Sequence, residues 1–214
     1  NNSGVRRYYI DRYFEKKEYD RVLQVLDESI ELDKAYRGQV LEYNQKKKEI
    51  YRLQGNKSAY IEQLWKLVLE QSAGDLDIYK ELKAQYSEKE WLIKREELFK
   101  KLPANAHIDR LYKEEKLYDR LLAYVLKSSG LYAVQSYENV LKKEYPKQIL
   151  SKYQDEVNKM ASCTGNRKHY ADLVALLRRM KQIKGGSEIV ETIVEEWKIK
   201  YRNRPAMMDE LSKL

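Results

Sequence analysis

The residues able to do chemistry are few. The chain has two histidines, His107 and His169, and a single cysteine, Cys163. His169 follows Cys163 by six residues and precedes Asp172 by three, which superficially suggests a thiol–imidazole pair. A cysteine nucleophile needs a base within hydrogen-bonding reach and a third group to orient that base. One Cys and one His on either side of a helix start do not supply this, so both histidines are expected to pack or cap, with no catalytic role. Carboxylates occur in adjacent pairs, Glu96-Glu97, Glu114-Glu115 and Glu195-Glu196, each interleaved with Lys and Arg. That pattern reads as solvated helix faces carrying i,i+4 ion pairs. A general-acid pair would need burial or a like charge in a cleft to move its pKa. Phosphate-loop, dinucleotide, nucleophile-elbow, zincin and EF-hand motifs are all missing. The expectation is a protein that is not an enzyme, with no cofactor and no metal site.

Charge supplies the sharper hint. The chain carries 42 Lys+Arg against 34 Asp+Glu, a net of +8. Residues 142–214 hold 16 of the basic and 10 of the acidic side chains, so the excess is concentrated there. Arg167, Lys168, Arg178, Arg179, Lys181 and Lys184 fall around one helical stretch and its two ends, and are the candidate polyanion-binding residues. Side chains of this kind neutralise phosphates and give salt-dependent binding. Glu188, Glu191, Glu195 and Glu196 interrupt the run before Lys198, Lys200, Arg202 and Arg204.

Helices must position these residues. Val5, Tyr8, Tyr9 and Tyr13 fall on one stripe, then Val22, Leu23, Leu26 and Ile30, and later Tyr170, Leu173, Val174, Leu177 and Met180. Each follows the i, i+3, i+4, i+7 spacing of a helix with one buried face. No stretch alternates with the period of a strand. The aromatic content, 19 Tyr, 3 Trp and 2 Phe, excludes a disordered chain in spite of 36% charged residues. Gly55-Asn56, Gly74-Asp75, Ser129-Gly130, Gly165-Asn166 and Gly185-Gly186 read as helix stops, and Ser87 with Glu90 as a capping-box start. Pro146 and Pro205 suit first helical turns. The fold class is therefore all-α, about twelve helices with short links.

Two internal similarities suggest repetition. Residues 15–23, EKKEYDRVL, match residues 114–122, EEKLYDRLL, at six of nine positions, and GNKSAY at 55–60 parallels GNRKHY at 165–170. The spacing is too irregular for a strict array of ~34-residue tetratricopeptide repeats. It fits degenerate helix pairs, and the expectation is a right-handed α-α superhelix of TPR-like or HEAT-like type. Residues 1–214 read as one solenoid domain with a soft division near 103–105.

The run 169–214, HYADLVALLRRMKQIKGGSEIVETIVEEWKIKYRNRPAMMDELSKL, resembles the C-terminal helical region of bacterial SWIM zinc-finger proteins. So do YDRLLAYVLKSSG at 118–130 and SEKEWLIKREELFKKL at 87–102. The shared order is a helix ending in Arg178-Arg179-Met180, the Gly185-Gly186 turn, and a last helix running into Arg204-Pro205-Ala206-Met207. The family's zinc motif, CxC followed by CxH, is absent, because Cys163 stands alone. The resemblance implies a fragment that scaffolds a partner while a finger elsewhere in the parent protein engages nucleic acid.

The first residues carry neither an apolar signal segment nor an initiator Met, so the chain is expected to be a piece of a longer cytoplasmic protein. No run approaches ~18 apolar residues, so no membrane partner is expected. The expected function is a macromolecular interaction module binding an unidentified protein partner. The rival is direct nucleic-acid binding through the basic C-terminal third.

Overall fold

The computed structural model describes residues 3–214, and among these the chain is all-α with no strand. It divides into two compact units, one ending at Glu115 and the other spanning Lys116–Leu214. The Pro103–Asn105 break lies inside the first unit.

The first unit contains α1 (Ser3–Glu15), α2 (Tyr19–Leu32), α3 (Arg37–Leu53), α4 (Lys57–Lys66), α5 (Leu76–Lys83), α6 (Glu88–Lys101) and α7 (Ile108–Glu114). The second contains α8 (Tyr118–Lys127), α9 (Tyr132–Leu141), α10 (Pro146–Ser162), α11 (Arg167–Lys181), α12 (Gly186–Lys200) and α13 (Pro205–Leu211). The principal contacts join helices to the next or next but one in the chain: α1 to α2, α2 to α3, α3 to α4, then α8 to α9 and α10, and α11 to α10, α12 and α13. That neighbour-on-neighbour packing is the solenoid mode of burying amphipathic helices.

Local chemistry explains the boundaries. Asn56 Oδ1 accepts from Ala59 N at 3.2 Å, and Asn166 Oδ1 from His169 N at 3.0 Å. Asp75 Oδ1 accepts from the amides of Asp77 and Ile78, both at 3.0 Å, and Ser87 and Glu90 close the expected capping box. Each cap supplies an acceptor to an amide that the helix itself leaves unpaired. Pro146 and Pro205 open α10 and α13. Gly185 sits at φ +84°, and a Cβ on Gly186 would fall 1.8 Å from the Met180 carbonyl oxygen, so this turn admits glycine alone at its second position.

The EKKEYDRVL/EEKLYDRLL similarity is a shared turn. Lys17 and Lys116, at equivalent places, take φ +59° and +55°. The residues after them, Glu18 (φ −80°, ψ 58°) and Leu117 (φ −83°, ψ 66°), start α2 and α8 in nearly the same conformation. At the first copy Glu18 N bonds Tyr13 O at 2.9 Å and Lys17 N bonds Phe14 O at 2.9 Å. This pair of bonds is the Schellman motif, with lysine in the left-handed position that glycine usually holds. Gly55 holds that position at the end of α3, where Asn56 N bonds Tyr51 O at 3.0 Å.

Most apolar stripes face inward as expected: Val22 and Leu26, and Tyr170, Leu173, Val174, Leu177 and Met180, are buried. The first stripe does not. Val5 is 50%, Tyr8 58% and Tyr9 43% exposed, and the one fully buried residue of α1 is Ile10. Aromatic residues occur on several sides of α1, so spacing alone could not choose its inner face; packing chose Ile10 and Phe14, and of the expected stripe Tyr13 alone packs against that core.

Candidate functional site

Between α3 and α4 the first unit carries a groove of about 400 Å³. Tyr51 and Lys47 of α3 form one wall, and Trp65, Lys66 and Leu69 the other. The second wall continues from α4 into a π-helical turn, Leu67–Gln71, where Ser72 N reaches back five residues to Leu67 O at 2.8 Å. A π turn widens the helix by one residue and shifts the side chains that follow, a device common at functional sites. Here it places Leu69 and Glu70 along the groove.

The groove is held rigidly. Gln63 Nε2 donates to Asn44 O at 3.1 Å and to Asn44 Oδ1 at 2.9 Å, and Asn44 Nδ2 donates to Val40 O at 2.7 Å, tying α4 to α3. The Trp65 indole donates to the Tyr86 hydroxyl at 2.9 Å, which fixes its ring. Lys47 is held by Asp27 at 2.6 Å. Tyr51 and Trp65 are half-buried, with Glu62 and Glu70 exposed along the rim. The result is an apolar strip of Tyr51, Trp65 and Leu69 between cations and carboxylates. Its volume falls in the range of ligand clefts, and its aromatics are the types that dominate binding hot spots.

Other polar clusters serve packing. Asp33 accepts from Arg6 and, at 2.8 Å, from the Tyr43 hydroxyl, and the Arg6 guanidinium holds its carboxyl below the usual range. Glu115, expected on a solvated face, is instead buried at its side chain. It accepts from Lys83 at 2.8 Å, the Trp91 indole at 3.1 Å and Arg95 at 3.2 Å. Burial pushes its pKa up, but these donors outweigh burial and the carboxyl ends lower than usual. The buried Tyr79 hydroxyl beside it has no hydrogen-bond partner among the described residues, and burial raises its pKa. Glu97, by contrast, makes the expected surface pairs with Lys94 and Lys101.

In the second unit Glu138 is buried and accepts from the Tyr153 hydroxyl at 2.6 Å, Arg179 Nε at 2.6 Å and Lys142 at 3.3 Å. Burial opposes its ionisation, yet the Tyr153 and Arg179 donors hold its pKa down.

The six candidate polyanion-binding residues separate into two groups. Arg179 is committed to Glu138 and to Gln135 O at 3.2 Å. Arg178 donates to Lys213 O at 2.6 Å, and Arg167 bridges Asp209 and Glu210 of α13. Lys168, Lys181 and Lys184 have no ion-pair partner among the described residues. Arg204 donates to the carbonyls of Ala161 (2.7 Å) and Cys163 (3.3 Å), satisfying the end of α10. The cysteine and histidine go separate ways: Cys163 Sγ lies 3.8 Å from Lys159 O, and His169 Nε2 lies 3.1 Å from Met160 O. His107 opens α7 and is exposed. Among the described residues no group of three or more His, Cys, Asp or Glu could hold a metal ion, and no helix is long and apolar enough to cross a membrane.

No family model, curated protein or solved structure matches the chain. Sequence reasoning missed the groove because it exists only once α3 and α4 are paired. The one signal for it was two aromatics, Tyr51 and Trp65, flanking the Gly55-Asn56 turn.

Proposed function

We propose that the protein is a non-catalytic interaction module that scaffolds a protein partner in the cytoplasm, binding a peptide segment in the α3–α4 groove. The observation that carries this reading is the groove itself: fixed walls, a half-buried aromatic strip and charged rims of both signs. A peptide with apolar anchors would bury Tyr51, Trp65 and Leu69, and charges on either side would set its direction. The resemblance to the helical region of SWIM zinc-finger proteins agrees with a scaffolding role. The rival, a polyanion held by the basic C-terminal third, draws less support because Arg179, Arg178 and Arg167 already have partners within the fold.

Selection of peptides from a displayed random library tests this directly. Selected peptides should bind the protein with affinities weakened about tenfold or more by Tyr51→Ala and by Lys66→Glu, with circular dichroism unchanged. Peptides whose binding ignores both substitutions would refute the assignment of the groove.

A further inference from the structure

We propose that the outer face of α1 is a platform for single-stranded nucleic acid. At 100° per residue, Tyr8, Arg12, Val5, Lys16, Tyr9 and Tyr13 fall within an arc of about 140°; Tyr13, at the edge nearest Ile10, also packs against the core, and the rest of the arc turns away from the Ile10 and Phe14 side. Tyr9 and Tyr13 stack with ring centres 5.9 Å apart and planes 26° apart, and Tyr8 meets Tyr9 edge-on at 5.6 Å. Arg12 Nη1 donates to the Tyr8 hydroxyl at 3.1 Å, and the Arg21 guanidinium lies 5.5 Å from the Tyr13 ring centre. The face is therefore a row of rings edged by guanidinium groups.

Charge selects the occupant. Lys16 and Lys17, at the end of the row, are exposed and have no ion-pair partner among the described residues. Arg6, next to Tyr13 at the edge of the arc, and Arg7, on the opposite face, are instead paired with Asp33 and Glu42, and Arg21 with Glu18. Asp11 and Glu15 border the arc on the side of Tyr8, while Lys16 lies within it and Lys17 follows beyond Tyr13. A single strand offers a flat π face at every base and a negative charge at every phosphate, which is what tyrosines interleaved with cations recognise. Duplex bases are already stacked and cannot use the rings. Readout would be sequence-tolerant, because every base has a π face.

Fluorescence anisotropy with labelled single strands of about 15 nucleotides and a matching duplex, from about 50 to about 200 mM salt, tests the proposal. The expected result is preference for the single strand. Joint Tyr8→Ala and Tyr9→Ala substitution should weaken binding about tenfold or more, since the bases lose the rings they stack on. Lys16→Glu should flatten the salt dependence, and Lys181→Glu with Lys184→Glu should change nothing. Three outcomes overturn it. One is no single-strand binding at the lowest salt. Another is full affinity in the tyrosine variant, above all with loss in the Lys181/Lys184 variant, which would move the site to the basic C-terminal third. The last is a dimer in sedimentation that the tyrosine substitutions dissolve, which would make the face a contact between copies.

Discussion

Replacing Tyr153 by Phe removes one hydroxyl and leaves the ring in place. The ring is fully buried, and the hydroxyl donates to a carboxylate that is 5% exposed at its side chain. A hydrogen bond to a buried charge is worth about 1.5–3 kcal/mol, and Glu138 keeps Arg179 and Lys142, so Tyr153→Phe should cost about 2 kcal/mol. Glu138→Ala strands the Tyr153 hydroxyl, a further loss of about 1–3 kcal/mol, and breaks the pair with Arg179. That arginine side chain is 38% exposed, so solvent limits the pair itself to about 1 kcal/mol. The single variant should therefore lose about 3 kcal/mol. In the double variant no hydroxyl is stranded, and the total should fall about 2 kcal/mol short of the sum of the two singles. Urea denaturation followed by hydrogen exchange, read on peptides from residues 116–214, isolates this unit. A Tyr153→Phe cost below about 0.5 kcal/mol, or strict additivity, would refute the assignment of these bonds as a coupled network.

Three further outcomes follow from the same geometry. Glu115 and Glu138 both have folded pKa values below their ordinary 4.5, so the folded state binds fewer protons than the unfolded one at mildly acid pH. Their stabilisation is complete above the unfolded pKa and disappears as pH falls through the folded values, so urea midpoints should drop progressively below about pH 4.5. A flat profile from pH 5 to 3 would contradict this. Gly186→Ala forces a methyl into the Met180 carbonyl and should cost at least about 2 kcal/mol by thermal or urea melting, whereas Gly38→Ala, where a Cβ meets nothing within 4 Å, should not. Lys17→Gly and Lys116→Gly should each stabilise by up to about 1 kcal/mol, the relief of a left-handed lysine exceeding the extra chain entropy of glycine. A lower melting temperature for either would show that the lysine side chain supports its turn.

Much of the helical order was legible because it is written locally. Val22 and Leu26, or Leu173 and Leu177, can only sit on one side of a helix, and Ser87 announces the start that its side chain then caps; Asn56 and Asn166 read as stops, although each caps the helix that follows. Interactions across the chain were not legible. Arg179 reads as a free cation until α9 and α11 both pack on α10 and bring it to Glu138 of α9, 41 residues away. Glu115 reads as one of a solvated pair until Trp91 and Arg95 close over it. The π turn at Leu67–Gln71 carries no glycine or proline to announce it. In α1 the pattern itself misled, since its aromatics occupy more than one side and packing, not periodicity, decided which of them met the core.

The neighbour-on-neighbour packing has a consequence in time. Because helices find their principal partners one or two elements along, few loops of any length have to close before burial rewards them. Chains with such local contacts fold fast, and the transition can begin at any adjacent pair and spread. During synthesis α1 and α2 can already be paired while α6 and α7 are still to be made, so the growing chain need not hold its early apolar residues in water until its end appears.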